Sequence, residues 1–304
     1  MIIAAVLSLS ALGGAALAYP PAAEWVGALA RSNAVARYAQ TTEALTAEQR
    51  DALLSRAKTY NEMLTDSPLS DPFRPPEGPS LGSDAAWLTY SQRLSIAGGD
   101  GEPMARLRYP AVGVDLPVLH GTDEQVLAHG AGHLYGSSLP VGGAGTHAVI
   151  TAHNGYTGAE MFDGLDAAEI GERFTVTVAG KTLEYRVDRI SVVAPDQLDQ
   201  LLQVPGRDYI TLVTCTPRFI NSDRLLVRGE RVGTSFEKPD RGDLLSTATV
   251  GPPWWVLLAL APVALAVAVL LIQHRASRHR AGVARTVHAS GPPPPLPIDE
   301  DTRN

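Results

Sequence analysis

Asp208-Tyr-Ile-Thr-Leu-Val-Thr-Cys-Thr-Pro-Arg-Phe-Ile-Asn-Ser-Asp-Arg-Leu-Leu-Val-Arg-Gly-Glu-Arg-Val232 decides the reading of this chain. Residues 209–214 are rich in β-branched and aromatic side chains, which suit a pleated, half-buried surface, so they read as a strand. Cys215 stands at its end, and Pro217 has no N–H with which to continue a ladder. A short loop follows, and Arg224-Leu-Leu-Val-Arg228 reads as a second strand. A thiol that ends one strand and a guanidinium that opens the next can point at one spot.

Cys215 is the only cysteine in 304 residues. It has no partner for an internal disulfide, and it excludes a cysteine-rich zinc site. An isolated cysteine is more often a buried, inert small hydrophobe than a reactive thiol, so its surroundings must decide. The net charge is −7 and spread along the chain, so nothing points to nucleic-acid binding. The length allows one domain of moderate size with appendages.

Two stretches concern membranes. Residues 2–18 are apolar and uncharged. They suit a secretory signal with Ala16-Leu-Ala18 as a small-residue cleavage site, or equally an uncleaved anchor, and they lack the usual basic n-region. Residues 254–272 are uncharged and just long enough to span a bilayer. Trp254 and Trp255 suit the interface, and Arg275, Arg278, Arg280 and Arg285 follow at once. The positive-inside rule puts that basic end in the cytoplasm and the residues before Trp254 outside the cell. Pro262 is tolerable inside a membrane helix.

Between these segments the pattern changes twice. Residues 22–64 are helical in pattern, and Thr46-Ala-Glu-Gln49 reads as a capping box opening a second helix. Residues 66–79 are proline-rich and cannot be regular structure; they hold Asp71-Pro-Phe73, which alone is a common turn signal. A helix is expected over 84–96, and short strands from Met104 onward, at 104–110, 112–119, 173–178 and 182–193. His147-Ala-Val-Ile-Thr-Ala-His153 reads as a strand that delivers His153 to its end. Gly158-Ala-Glu-Met-Phe-Asp-Gly-Leu165 reads as a short helix, and 195–202 as a loop with another. His120, His129 and His133 are catalytic candidates by residue type alone, and structural histidines are the commoner case.

Taken together, these residues resemble the sortases, the transpeptidases of Gram-positive cell surfaces. Thr211-Leu-Val-Thr-Cys-Thr-Pro217 and the Cys215-to-Arg224 spacing look like the motif of the pilin-polymerising class C sortases. The resemblance covers residues 68–232 and the flanking membrane segment. It implies a mainly β fold: a sortase-like β-barrel with short helices, preceded by N-terminal helices and a lid loop, and flanked by hydrophobic membrane segments. The expected divisions are 1–19 signal or anchor, 20–65 helices, 66–82 lid loop, 83–235 catalytic barrel, 236–252 linker, 253–272 transmembrane helix and 273–304 disordered cytoplasmic tail. It also implies a catalytic triad of His153, Cys215 and Arg224, with no cofactor and no metal. Asp71 and Phe73 are implied to form the lid, the one as a polar anchor to the arginine and the other as an aromatic plug near the thiol. Thr214 and Asn221 are implied to contact substrate. His120, His129 and His133 become structural. Three positions depart from the common class C pattern: Asn154 after the histidine, Phe219 where glycine is usual, and Asp223 where histidine precedes the arginine.

The chemistry agrees with these residue types. A thiolate attacks carbonyls well, and a thiol does not, so Cys215 needs nearby positive charge or a base. His153 can protonate a leaving amine and deprotonate an incoming one. Arg224 keeps its charge at every working pH and can hold an oxyanion. The implied partners are pilin or surface proteins with Leu-Pro-x-Thr-Gly-like sorting signals, and an amine from a pilin lysine or a cell-wall precursor. A housekeeping-type sortase and an inactive membrane-tethered binding barrel are the alternatives. A papain-like protease needs a histidine after the cysteine, and His274, His279 and His288 all lie beyond the membrane span.

Overall fold

Eight short strands close into a barrel in the order β1-β2-β3-β4-β7-β8-β6-β5. They are β1 (Ala105–Tyr109), β2 (Val114–His120), β3 (Ala131–His133), β4 (Thr146–Thr151), β5 (Arg173–Val178), β6 (Lys181–Val193), β7 (Asp208–Thr216) and β8 (Asp223–Arg231). The helices are α1 (Ile2–Glu43), α2 (Ala47–Met63), α3 (Ala85–Ser91), α4 (Glu124–His129) and α5 (Trp255–Ala289). The computed structural model describes residues 2–64, 69–74, 85–96, 101–156, 159–232 and 251–289. The expected linker up to residue 250, the tail from residue 290 and all of the lid loop except 69–74 lie outside them.

The barrel forms because its strands alternate. Leu107, Leu116, Val118, Ile150, Val176, Leu183, Ile210, Leu212 and Val227 all belong to one buried cluster. The centre of the sheet is β4 paired in parallel with β7, from Thr146 opposite Asp208 to Thr151 opposite Val213. Strand β7 then pairs antiparallel with β8, which places Cys215 directly opposite Arg224. On the outer side, Val213 and Leu226 join Leu134, Val149, Val193, Leu198 and Leu201 in a second apolar cluster.

The N-terminal helices are tied to the barrel by a few polar side chains. Thr46 caps α2 with both bonds of a capping box present, as the sequence predicts. Asn61, near its end, donates to Leu139 O at 3.0 Å and accepts from Leu139 N–H at 2.7 Å. Tyr38 of α1 donates to Met104 O and accepts from Ala179 N–H. That second bond holds Ala179 at φ 46, in the two-residue turn that joins β5 to β6.

Two expected helices are corrected, and so is the tail expected to be disordered from 273, which is helical as far as Ala289. The one over 84–96 is confined to α3, and residues 92–94 are turn. The expected helix over 158–165 is absent from the described residues 159–164, and only a 3-10 turn at Leu165–Ala167 follows. The cause is Asp163, whose carboxylate takes the N–H groups of Gly155 and Met161 and so fixes a loop where a helix would use backbone carbonyls.

The chain divides into two compact units, Met1–Tyr19 with Pro253–Asn304, and Pro20–Pro252. Helix α1 runs through the division without a break, although Pro20 and Pro21 lie inside it. Each proline removes one N–H donor from the helical ladder. In the smaller unit, Gly14 lies against Ala259 so closely that a Cβ at residue 14 would overlap the Ala259 carbonyl. Both α1 and α5 contain stretches long and apolar enough to cross a bilayer.

Asn61→Ala should destabilise the folded chain by roughly 1–3 kcal/mol, because it leaves the buried N–H of Leu139 unpaired, while the Leu139 carbonyl keeps its bond from Val141 N–H. Thr41→Ala, on the exposed side of α1, should change little. Thermal melts of the two detergent-solubilised variants check this, and equal melting temperatures would show that Asn61 is not what docks α2.

Candidate active site

Strand β4 ends at Thr151, but its partnership with β7 continues. Ala152 N–H donates to Val213 O, Thr151 Oγ1 donates to the same oxygen at 2.9 Å, and Thr214 Oγ1 donates to Ala152 O at 2.8 Å. Asn154 Nδ2 then donates to Cys215 O at 3.3 Å. These bonds extend the parallel pair past the ladder and carry His153 to the level of Cys215. Thr214 is wholly buried, with its hydroxyl engaged in this tie. Asn221, in left-handed backbone at φ 60, has an exposed side chain and contributes its carbonyl to Arg224 Nη1.

The described part of the loop before the barrel lies across this centre. Arg224 Nε donates to Asp71 Oδ1 at 2.9 Å and Nη2 to Oδ2 at 2.6 Å, a two-pronged carboxylate pairing. Nη1 donates to the carbonyls of Asn221 and Asp223. The Asp71 and Arg224 side chains are only 3% and 8% exposed, so the pair is buried. The Asp71 carboxylate also accepts from Phe73 N–H and so sets the turn that aims the ring. Phe73 packs against His153 with centroids 5.7 Å apart, and the Arg224 guanidinium carbon is 5.3 Å from the centre of its ring. Leu69 and Phe73 together cover the outer apolar cluster.

Burial governs the electrostatics. It pushes the Cys215 thiol above its ordinary value; Arg224 opposes this and Asp71 adds to it. It pushes the His153 imidazole below its ordinary value, with Glu124 opposing. Tyr156 contributes, since its ring stacks on His153 at 4.8 Å between centroids and 12° between planes. With Phe73 also against it, the imidazole is flanked by two aromatic rings, and its buried Nε2 has no hydrogen-bond partner among the described residues. The covered site therefore favours a neutral thiol beside a neutral imidazole.

The other four histidines of the barrel are tied up in the fold. His133 is fully buried between Tyr90 Oη and the Ser138 carbonyl, and burial lowers its pKa to about 4. The ring of His120 bonds Arg93 O, that of His129 bonds Gln125 O, and that of His147 bonds Leu202 O and Thr211 Oγ1.

Sequence reasoning marked Asn154 only as a departure from a pattern and missed Tyr156 and Asp163. Asn154 and Tyr156 act on the cysteine and the histidine as described. Asp163 joins the loop after His153 to the loop after Cys215, since it also pairs with Arg218 at 2.6 Å. Arg218 in turn lies under Phe219, which holds left-handed backbone at φ 68. Gly155 lets these loops meet, because a Cβ there would overlap both the Arg218 and Phe219 side chains. An aspartate ten residues before the 173–178 strand run gave no signal of its partners, which are the N–H groups of Gly155 and Met161 and the guanidinium of Arg218.

The barrel sets a cysteine, a histidine and an arginine side by side at its strand ends, the side-chain types that a cysteine acyl transfer needs. The family model for the sortase domain matches residues 107–232. Sortase C-1 from Actinomyces oris is 44% identical, with a TM-score of 0.56 over 61% of this chain and 99% of that one. The pilus-related sortase C of Group B Streptococcus is 36% identical, with a TM-score of 0.58 over 65% of this chain and 96% of that one. Among curated proteins, sortase A of Streptococcus agalactiae serotype III is 30% identical over 145 residues, which are 47% of this chain and 55% of the relative. The chain thus spans about half the length of that relative. The chain belongs to the sortase family, whose members are cysteine transpeptidases.

Because a thiol reacts as its thiolate, a raised pKa reduces reactivity at neutral pH. Replacing Asp71 and Phe73 together by alanine removes a carboxylate and part of the burial, and it frees Arg224. The pH midpoint for alkylation of Cys215 by iodoacetamide should move down, and the rate at neutral pH should rise roughly ten- to a hundred-fold. An unmoved midpoint and rate would mean that residues 69–74 do not guard the thiol.

Proposed function

We propose that this chain is a class C transpeptidase that joins pilin subunits at the cell surface. The observation that supports it most directly is the Asp71-Pro-Phe73 turn seated on Arg224 and His153. An aspartate and an aromatic ring in these places form a lid, and the chain resembles two solved sortases C over nearly their whole lengths. The substrate is a protein ending in a Leu-Pro-x-Thr-Gly-like sorting signal, cut between Thr and Gly.

The steps follow from the groups present. The lid lifts, which exposes the apolar cluster around Val213 and Leu226 and releases the Arg224 guanidinium. Cys215 passes its proton to His153, and the thiolate forms a bond to the threonine carbonyl carbon. Arg224 holds the oxyanion. The C–N bond breaks as His153 returns the proton to the leaving glycine nitrogen, which leaves a thioester on Cys215. A pilin lysine amine then attacks the thioester, His153 accepts its proton, and the thiolate departs and is reprotonated. Thr214 and Asn221 serve by position: the one fixes the strand ends, and the other holds Arg224 through its carbonyl.

Incubation of the protein with sorting peptides and an amine, followed by mass spectrometry, tests the reaction. Cys215→Ala should abolish both cleavage and transfer. His153→Ala and Arg224→Ala should each lose roughly a hundred- to a thousand-fold. Transpeptidation by Cys215→Ala at a near-normal rate would refute the assignment. A lysine-bearing pilin fragment should outcompete a cell-wall precursor amine, and the reverse order would favour a housekeeping role.

The same proposal places the barrel outside the cell, with the first apolar stretch of α1 and that of α5 in the membrane and the basic residues after the latter in the cytoplasm. Protease added to intact protoplasts should digest the region around Cys215 and spare the residues after Arg275. Digestion of that tail, or protection of the barrel, would invert the orientation.

A further inference from the structure

Asn154 carries an unsatisfied polar atom at the centre of the site. The residue is 8% exposed, and its Nδ2 donates to Cys215 O at 3.3 Å. This bond fixes which way the amide points, since the flipped amide would set two carbonyl oxygens against each other. Its Oδ1 is then buried with no hydrogen-bond partner among the described residues. A buried amide oxygen without a donor is unfavourable and uncommon, and an apolar side chain would fill the same space at less cost. The second orphaned buried atom nearby is His153 Nε2, on the preceding residue. The two orphans differ in kind: the amide oxygen can only accept, and the imidazole nitrogen is the site of proton exchange.

We propose that Asn154 Oδ1 accepts the N–H of the amide being cut, and afterwards one N–H of the incoming amine. The proposal rests on the transpeptidase reading. Attack of the Cys215 sulfur turns the scissile nitrogen from a planar amide into an amine that still bears its hydrogen. That nitrogen can leave only after its lone pair receives a proton from His153. An acceptor on the existing N–H turns the lone pair away from Asn154 and toward the imidazole. The C–N bond then breaks, the C–S bond remains, and the proton that began on the thiol ends on the departing amine. In the second half, a neutral lysine amine presents two hydrogens. Asn154 holds one while His153 removes the other as the C–N bond forms and the C–S bond breaks. One acceptor thus orients nitrogen in both directions of transfer, which suits an enzyme whose leaving group and nucleophile are both amines.

The bond to the Cys215 carbonyl offers a competing account, in which Asn154 only ties two loops together. The two accounts predict different substitution patterns. Asn154→Asp keeps an acceptor and loses the tie, whereas Asn154→Ala loses both. Single-turnover acylation with a sorting peptide should slow roughly ten- to a hundred-fold in Asn154→Ala and recover substantially in Asn154→Asp. Resolution of the thioester by a lysine-type amine should slow in parallel. In the alanine variant, alkylation of Cys215 by iodoacetamide and peptide affinity in a Cys215→Ala background should stay within about threefold of their parents, and the melting temperature should shift by no more than about 4 °C. Acylation by Asn154→Ala within twofold of wild type would overturn the proposal. So would an Asn154→Asp as slow as the alanine variant, or a loss of acylation matched by an equal loss of melting temperature and thiol access. A wild-type protein that alkylates normally yet acylates with no sorting peptide would instead overturn the transpeptidase reading, and Asn154's part in it.

Discussion

The antiparallel register of β7 on β8 is the constraint on which the site depends. It sets Cys215 opposite Arg224, and a slip of one residue would turn one of them to the other face of the sheet. Packing holds that register from inside the barrel: Ile210, Leu212, Leu225 and Val227 are all in the main core. It is held outside by Arg228, whose guanidinium carbon lies 4.1 Å from the centre of the Tyr209 ring and whose nitrogens pair with Asp188. Gly229 serves the same end, since any side chain there would overlap the Phe174 ring and push the strands apart. The parallel pairing of β7 with β4 then adds the histidine. Three residues far apart in sequence come together because one central strand has two fixed neighbours.

The ion pair that covers the site is strong in a particular sense. Both charges are taken out of water, and much of their attraction is offset by that desolvation. Removing one partner while the other stays buried would cost about 3–5 kcal/mol. Lifting the whole turn is different, because water can reach Asp71 and Arg224 as they separate. The geometry therefore resists small distortions of the closed state more than it resists complete opening. A substrate carbonyl that reaches Arg224 would replace the carboxylate on the same donors.

Much of this was legible in the sequence. The strands were, because β-branched runs at 173–178, 182–193 and 209–214 suit a sheet on either face. The capping box of α2 was legible because its partners are three residues apart. The meeting of Asp71 with Arg224 was expected only through the family resemblance, since no local rule joins residues 153 positions apart. Its burial was not foreseen, because burial depends on what the barrel and the turn enclose together. The segment around Asp163 was misread for a related reason. Apolar Met161, Phe162 and Leu165 have helical spacing, but a carboxylate that captures the N–H groups of Gly155 and Met161 overrides it. Asn154 stood out only as a departure from a familiar pattern, and its two polar ends acquire meaning from the carbonyl of Cys215.

One turn of chain thus acts on two titrations of opposite sign. The thiol must lose a proton and the imidazole must gain it, and burial resists both. Phe73 adds to the burial of His153, while Asp71 sets a negative charge near Cys215 and occupies the guanidinium that would favour its thiolate. Proton transfer from sulfur to nitrogen is therefore opposed at its start and at its end by the same few residues. On the function proposed above, lifting them would relieve both ends together, so access and activation would need no separate switches. The reactive ion pair would then be favoured only when the groove is open to a peptide, which would keep an exposed nucleophile from forming in the absence of substrate.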